Sequence, residues 1–201
     1  MLHQYPLQIR FKLIALAPRF SITDSSNKEV LYIEQKVLAI REAIHVYNNQ
    51  NDKNQIYGIK TPQILDFGAQ YLFYSGTDEA TPIGSIKQEG LKTIFKATYN
   101  ILDQANNIKF TIKENDPWVR FIDFLFTQVP FLGIFAGYLF HPTYNVIDSQ
   151  TNKTVMVLKK VPSFLERQFS VELIDQNISP VDEVNCLLGI IMMIQLQRSR
   201  G

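Results

Sequence analysis

The last stretch of the chain, residues 179–200, constrains the fold most strongly. It reads SPVDEVNCLLGIIMMIQLQRSR and contains an unbroken apolar run over residues 186–194. At 100° per residue this run covers every side of an α-helix, whereas a helix on a protein surface keeps one polar face. The sequence therefore predicts a helix that is surrounded by the rest of the chain.

The two ends of this helix carry recognisable signals. Ser179 can cap the N-terminus, Pro180 suits the first helical position, and Asp182 stands three residues after the cap. Arg198 and Arg200 lie at the C-terminal end, where the helix dipole favours cations. We therefore expect the helix to begin at Pro180.

The first half of the chain has the pattern of short β-strands. Alternating or β-branched segments are punctuated by Gly, Pro and Asn, and no window carries a 3.6-residue period over three turns. About ten to twelve short strands with polar turns are expected over the whole chain, which is typical of an all-β sandwich or barrel.

A strand-and-turn unit recurs along the chain. An aromatic and a branched residue two positions apart precede an Asp, at residues 20–24, 99–103 and 144–148. An Asn follows each Asp within four residues, at positions 27, 106 and 152. Asp and Asn cap turns by bonding their own backbone, so each unit predicts a β-hairpin. Residues 169–173 begin a fourth copy, whose Asp175 runs into the final helix.

A wide β-barrel reconciles the strands with the apolar helix. An eight-stranded barrel fills its interior with its own side chains, whereas a wider one needs a plug. We therefore predict a closed antiparallel barrel of about twelve strands around the central hydrophobic C-terminal helix, forming a single domain over residues 1–201. The alternative, two packed sheets with the helix on one face, would leave part of the helix exposed to water.

The repeated turn units, the IGSIK strand at residues 83–87 and the terminal apolar helix together resemble the tubby C-terminal-like superfamily. This superfamily includes tubby proteins, phospholipid scramblases and LURP-one-related proteins, and the strongest likeness is to LURP-one-related proteins of bacterial type. The likeness extends over nearly the whole chain, through the pattern and order of strands. It implies a closed twelve-stranded barrel around a central C-terminal helix, and functions such as phosphoinositide binding or lipid movement.

The resemblance also points to a lipid headgroup site. In tubby, two basic residues on an I-G-basic-x-basic strand hold the phosphoinositide headgroup. Here Lys87 keeps the second basic position and Ser85 replaces the first, which argues against specific phosphoinositide capture because one of two phosphate-binding cations is lost. Lys92 and Lys96 follow within ten residues, and we predict that Lys87, Lys92 and Lys96 together contact lipid phosphates. The alternative is that these are solvated surface lysines.

The aromatic-rich segment at residues 117–140 is the second candidate for lipid contact. It is interrupted by charged residues and a proline, so it does not have the roughly 20 apolar residues of a membrane-spanning helix. We predict that Trp118, Phe121 and Phe126 make apolar contact with a bilayer interface or a lipid chain. The alternative is a helix and strand that cover one end of the barrel.

The residues that usually carry catalysis or bind metals are scattered. The sequence has no G-x-S-x-G, H-E-x-x-H or Gly-rich phosphate-binding motif, and His3, His45 and His141 lack metal-ligand spacing. Cys186 lies in the apolar helix and is predicted to be an inert core thiol. No catalytic residue, metal site or cofactor is therefore predicted.

Charge and cysteine content bound the partners and the compartment. Twenty basic and nineteen acidic residues leave a net charge of +1, so no overall field would recruit nucleic acid. A single cysteine and the lack of a signal-peptide apolar region indicate a cytoplasmic protein. Lys159 and Lys160, which follow an apolar strand, are interpreted as guards of an exposed sheet edge.

These observations favour a non-enzymatic protein that binds a lipid or a protein partner at the inner membrane surface. Two alternatives come from other classes. One is a protein-interaction or structural module, and the other is a small-molecule enzyme whose catalytic groups meet only in the folded chain.

Overall fold

The computed structural model describes residues 2–12, 19–36, 43–60, 69–77, 81–89, 98–115, 142–162 and 168–198. This part of the chain forms twelve β-strands followed by a helix. The strands are β1 (Leu7–Lys12), β2 (Arg19–Thr23), β3 (Glu29–Lys36), β4 (Ala43–Tyr47), β5 (Gln55–Lys60), β6 (Gln70–Ser75), β7 (Pro82–Glu89), β8 (Thr98–Leu102), β9 (Ile108–Glu114), β10 (Thr143–Asp148), β11 (Thr154–Val161) and β12 (Gln168–Leu173). The helix, α1, spans Pro180–Arg198.

The twelve strands form a closed antiparallel barrel. Each strand pairs with its neighbours in sequence, and β1 also pairs with β12 through Leu7 opposite Val171 and Ile9 opposite Phe169. The predicted fold is therefore confirmed.

The interpretation of Lys159 and Lys160 as edge guards is wrong. Their strand, β11, is paired on both sides, with β10 and with β12. Lys159 Nζ instead lies 2.8 Å from Glu172 Oε1 on the neighbouring strand. No strand of a closed barrel has a free edge, so the edge interpretation does not apply to this fold.

Alternation along the strands separates the core from the surface. In β2, for example, Phe20 and Ile22 are fully buried, while Arg19 is exposed and Ser21 and Thr23 are half-buried. Side chains of a strand point alternately to its two faces, so one face of every strand lines the interior. The inward-facing side chains pack around α1 in one continuous hydrophobic core.

The three predicted hairpins are confirmed, and each Asp is bonded as expected. Asp24 Oδ1 accepts hydrogen bonds from the backbone N–H groups of Ser26 and Lys28 at 2.9 and 3.0 Å. Asp103 Oδ1 accepts one from the Asn107 N–H at 2.9 Å, and Asp148 Oδ1 accepts two, from Gln150 and Thr151. The following Asn27, Asn106 and Asn152 have φ values of 61°, 66° and 55°. Asn tolerates this left-handed region better than most residues, which explains its place in the unit.

Helix α1 begins and packs as predicted. The Ser179 hydroxyl oxygen accepts a hydrogen bond from the Asp182 N–H at 3.2 Å, and residues 182–196 are buried. At Gly189 a Cβ atom would lie 2.6 Å from Ile101 Cδ1, so the helix backbone packs directly against β8. Burial also extends to polar side chains, Asp182, Glu183, Asn185 and Gln195, which the sequence analysis placed outside the apolar run.

The antiparallel order gives the barrel two distinct ends. We call one of them the turn end. It holds the N-terminus of α1, residues 2–6, and the described turns at residues 24–28, 48–54, 103–107 and 148–153. We call the other the Arg198 end, because the last residue of α1 lies there with the C-terminal ends of the odd-numbered strands. Within the described residues, no helix has both the length and the apolar character needed to cross a membrane.

Candidate functional site

The strand predicted to hold a lipid headgroup, β7, first serves to anchor the helix. Gly84 faces inward, and a Cβ atom there would lie 2.8 Å from the Asn185 side-chain amide. Asn185 Nδ2 donates a hydrogen bond to the Ile83 carbonyl oxygen at 3.1 Å. The glycine is therefore explained by the close approach of α1, independently of any ligand.

Ser85, at the first of the two basic positions in the tubby pattern, is withdrawn from solvent. It is 2% exposed, although its neighbours Gly84 and Ile86 occupy the inner face of the strand. Gln70 Nε2 on β6 donates hydrogen bonds to the Ser85 hydroxyl oxygen at 2.8 Å and to Asn106 Oδ1 at 2.9 Å. Gln70 thus covers this position, which presents neither a cation nor a free hydroxyl to a ligand.

Lys87, at the second basic position, is exposed on the outer face. It lies opposite Gln70 on β6 and Asn100 on β8. Asn100 lies opposite Thr111 on β9, and exposed Lys113 follows two residues further along that strand. The structure therefore adds Lys113 as a cation on the same outer face, a residue that the sequence analysis missed.

The other predicted contact residues lie outside the described part of the chain. These residues are Lys92, Lys96, Trp118, Phe121 and Phe126. Their contribution to a site with Lys87 stays a prediction.

The charged residues of the described strands and turns are divided between the two ends. The Arg198 end carries the basic side chains Arg10, Arg19, Lys60, Lys87, Lys113, Lys159, Lys160 and Arg198. The acidic residues described in the same halves of the strands are Glu34, Glu89 and Glu114. A net charge of +1 concealed this concentration of positive charge.

The turn end has the opposite balance. Its described acidic residues are Asp24, Glu29, Asp52, Asp103, Asp148, Glu172, Asp175, Asp182 and Glu183. The basic residues described there are Lys28, Lys53, Lys109 and Lys153. Asp24, Asp103 and Asp148, which bond the backbone of the hairpin turns, contribute part of this acidity.

Some of the cations at the Arg198 end are neutralised locally and others are not. Arg19 Nε lies 3.6 Å from Glu34 Oε1. Two ion pairs join residues assigned to opposite ends, because these strands are short: Lys159 pairs with Glu172 at 2.8 Å, and Glu34 pairs with Lys53 at 2.7 Å. Arg10, Lys87 and Lys113 are exposed and form no ion pair with any described residue. These three side chains are therefore the cations best placed to meet an external anion.

At the turn end, a buried carboxylate ties the N-terminal segment to the helix. Glu183 is 0% exposed, and its two oxygens accept hydrogen bonds from the Leu2 N–H at 2.7 Å and the Tyr5 hydroxyl at 3.1 Å. Burial, together with the nearby Glu183 carboxylate, raises the pKa of Tyr5 far above its usual range. Burial lowers the pKa of His3, against the opposing effect of the carboxylates of Glu183 and Asp24.

Asp182 completes the polar layer around the start of the helix. Its Oδ1 lies 2.7 Å from Lys109 Nζ on β9, and its Oδ2 accepts a hydrogen bond from the Ser179 hydroxyl at 2.6 Å. These contacts anchor α1 to the sheet and to its own cap. The arrangement is that of a structural clamp, since both carboxylate oxygens are already bonded.

A cleft of about 510 Å³, which was not predicted from the sequence, opens beside this clamp. It lies between the N-terminal segment, the turn after β2 and the end of β12. Its lining residues are Gln4, Tyr5, Pro6, Ser25, Glu172, Leu173, Ile174 and Gln176. No short motif could have signalled the cleft, because its walls come from three distant parts of the sequence.

Cys186 and His45 are both engaged in the structure of the barrel. Cys186 is fully buried in the barrel, and burial raises the pKa of its thiol well above the usual value, as an inert core thiol requires. His45 Nδ1 lies 2.7 Å from Gln55 Oε1 on the outer face. His141 lies outside the described residues, and the described ones contain no group of three His, Cys, Asp or Glu side chains arranged to hold a metal.

Comparison with known proteins bears on the fold. No protein-family model and no curated protein sequence matches this chain. Among solved structures, the X-ray structure of a protein from Arabidopsis thaliana is similar, with a TM-score of 0.57 and 10% sequence identity over 97% of this chain and 93% of that one. The chain therefore shares its fold with this plant protein, and its twelve-stranded barrel with a C-terminal helix fits a tubby-like fold.

Proposed function

We propose that this protein is a non-enzymatic tubby-like barrel of the LURP-one-related type that binds anionic membrane surfaces through its Arg198 end. In this proposal it is cytoplasmic and lies at the periphery of the inner membrane face. The observation that carries the proposal concerns the described residues: basic side chains predominate at one end of the barrel and acidic side chains at the other. The likeness of fold to the plant protein supports the superfamily, through architecture alone.

Charge separation of this kind orients a protein on a membrane. A Lys or Arg near an anionic surface contributes about 1 kcal/mol, and the attraction decays within a Debye length of ~8 Å at physiological ionic strength. Only the end that faces the membrane therefore interacts strongly. The basic Arg198 end is attracted and the acidic turn end is repelled, so the barrel would stand with its turn end facing away from the lipid.

The exposed cations suggest which side chains contact the lipid headgroups. Lys87 and Lys113 lie on neighbouring parts of the outer face, across β8, and neither is engaged by a described acidic residue. Because Gln70 covers Ser85, this position cannot supply the second phosphate contact of the tubby pattern. We therefore expect the protein to bind anionic lipids in general and not to select phosphoinositides. The further predicted contacts are Lys92, Lys96, Trp118, Phe121 and Phe126.

The proposal is tested by flotation of the purified protein with vesicles. Phosphatidylcholine vesicles with and without phosphatidylserine are compared at low and high salt. Flotation only with the anionic vesicles, and only at low salt, is the expected result. Absence of flotation with either vesicle contradicts membrane binding. Flotation that resists salt contradicts the electrostatic mechanism and favours insertion of the aromatic-rich segment.

A second function, binding of a protein partner, is favoured by a different observation, the cleft at the turn end. The enzyme alternative has no observation in its favour among the described residues. The cleft lies at the end of the barrel that faces away from the membrane in this proposal.

A further inference from the structure

We propose that the cleft at the turn end is a docking site for a short, basic segment of a partner protein that inserts an apolar side chain. The inference does not rest on membrane binding, because the cleft and the exposed cations Lys87 and Lys113 lie at opposite ends of the barrel.

The cleft is built where the chain enters the barrel. The Ser25 N–H donates a hydrogen bond to the Gln4 carbonyl oxygen at 3.1 Å, which fixes the N-terminal segment against the turn after β2. On the other side, the Ile174 N–H donates to the Val155 carbonyl oxygen at 2.9 Å, which fixes the chain beyond β12. With Tyr5 held by Glu183, both walls are tied by hydrogen bonds to other parts of the barrel. Both walls are therefore formed before any partner arrives.

The cleft offers apolar surface to a partner. Tyr5, Pro6, Leu173 and Ile174 contribute to its lining, and Ile174 is 53% exposed. All of the large apolar side chains with the greatest exposure in the described part of the chain lie at this same end: Leu2, Ile108, Ile174 and Val181. Such a concentration of exposed apolar side chains is typical of interaction surfaces.

Charge complementarity identifies the occupant as basic. Glu172 lines the cleft with 40% of its side chain exposed, and Lys159 contacts its Oε1 atom from the side of β11. Because Lys159 partly neutralises Glu172, the attraction for a basic segment comes from the turn end as a whole, whose described residues include nine acidic and four basic side chains. An acidic surface repels anionic lipid and attracts Lys and Arg, so a basic protein segment fits this end and a membrane does not.

The size of the cleft limits what can enter. Its volume of about 510 Å³ lies within the range of ~300–1,000 Å³ that is usual for ligand pockets. It can receive an apolar side chain and its neighbours from an extended segment, whereas a folded domain would have to rest on the rim. We therefore expect a linear segment in which an apolar anchor is flanked by Lys or Arg.

Selection from a displayed library of short random peptides tests the proposal on the full chain. Peptides are selected on the wild-type protein alone, so that the later comparison with the I174D variant is independent of the selection. Ile174 is exposed, so the protein should tolerate this change. We expect the enriched peptides to combine an apolar anchor with basic flanks. A synthetic peptide of the enriched sequence should bind I174D about tenfold or more weakly, and Glu172→Gln more weakly and with a smaller salt dependence.

The matched control is Ile108→Asp. Ile108 is 49% exposed at the same end of the barrel but does not line the cleft, so this variant should bind the selected peptide like the wild type.

Failure to enrich any peptide overturns the proposal, as does enrichment of acidic peptides or equal weakening by both Asp variants. Self-association of the protein that Ile174→Asp abolishes would identify a second copy as the occupant, which also overturns it. Vesicle flotation should be unchanged in Ile174→Asp, so the two proposals can fail separately.

Discussion

Gly84 of β7 and Asn185 of α1 are in such close contact that a Cβ atom on the glycine would lie 2.8 Å from Asn185 Nδ2. The same amide nitrogen donates a hydrogen bond to the Ile83 carbonyl oxygen, so the asparagine is held in place by the strand that it packs against. A buried polar side chain, paired with the strand that encloses the helix, thereby fixes the position of α1 within the barrel.

The substitution Gly84→Ala should destabilise the protein by about 1–3 kcal/mol, because the added methyl group must displace a hydrogen-bonded side chain in a packed core. Urea denaturation of the wild type and the variant measures this change in the free energy of unfolding. In an Asn185→Ala background, where the obstructing amide is absent, the same substitution should cost much less. Equal costs in the two backgrounds would show that the two residues are not coupled.

The hydrogen bond from Tyr5 to Glu183 should contribute to the attachment of the N-terminal segment. Tyr5→Phe removes the hydroxyl and leaves the ring, so it should reduce the free energy of unfolding by about 1.5–3 kcal/mol, the usual contribution of a hydrogen bond to a charged group. Amide hydrogen exchange should show faster exchange at residues 2–6 and unchanged exchange in β6 and β8. Unchanged exchange at residues 2–6 would mean that this bond does not hold the segment.

The turn aspartates should make the stability of the protein depend on acid pH. The pKa of Asp148 is lowered mainly by the hydrogen bond from the Thr151 N–H, and that of Asp24 mainly by the hydrogen bond from the Ser26 side chain. A carboxyl group whose pKa is lower in the folded state contributes stability above its unfolded pKa, about 3.9, and loses that stability as the pH falls through the folded value. The urea midpoint should therefore decline as the pH falls below ~4.

Asp148→Asn tests the origin of this pH dependence. An asparagine keeps the side-chain oxygen acceptor but does not titrate, so the variant should lose less stability between neutral and acid pH than the wild type does. Asp52→Asn is a useful control because Asp52 lies in an exposed turn outside the repeated hairpin unit. If Asp148→Asn and the wild type lose equal stability in acid, protonation of the Asp148 carboxylate is not the cause of the loss.

The parts of this structure that could be predicted from sequence are those set by local chemistry. The hairpins were predictable because each Asp bonds the backbone within four residues and each Asn adopts a positive φ. The central helix was predictable because its apolar residues leave no face for water, and the barrel follows from the need to enclose it.

The features that were missed depend on partners far apart in the chain. Glu183 is buried because Leu2 and Tyr5 satisfy it from the other terminus, and Ser85 is buried because Gln70 covers it from the preceding strand. The separation of charge between the two ends emerges only when the strands are placed in order, since the charged residues are scattered singly or in pairs over many strands and turns. The cleft is invisible in sequence for the same reason.

The most direct test of the proposed function compares charge reversals at the two ends of the barrel. The double variant Lys87→Glu/Lys113→Glu changes the Arg198 end, and Lys28→Glu/Lys153→Glu makes the same change of charge at exposed positions of the turn end. Flotation of both with phosphatidylserine-containing vesicles at low salt is measured against the wild type. We predict that the first variant no longer floats while the second floats like the wild type. Equal flotation of the two variants would contradict attachment through the Arg198 end.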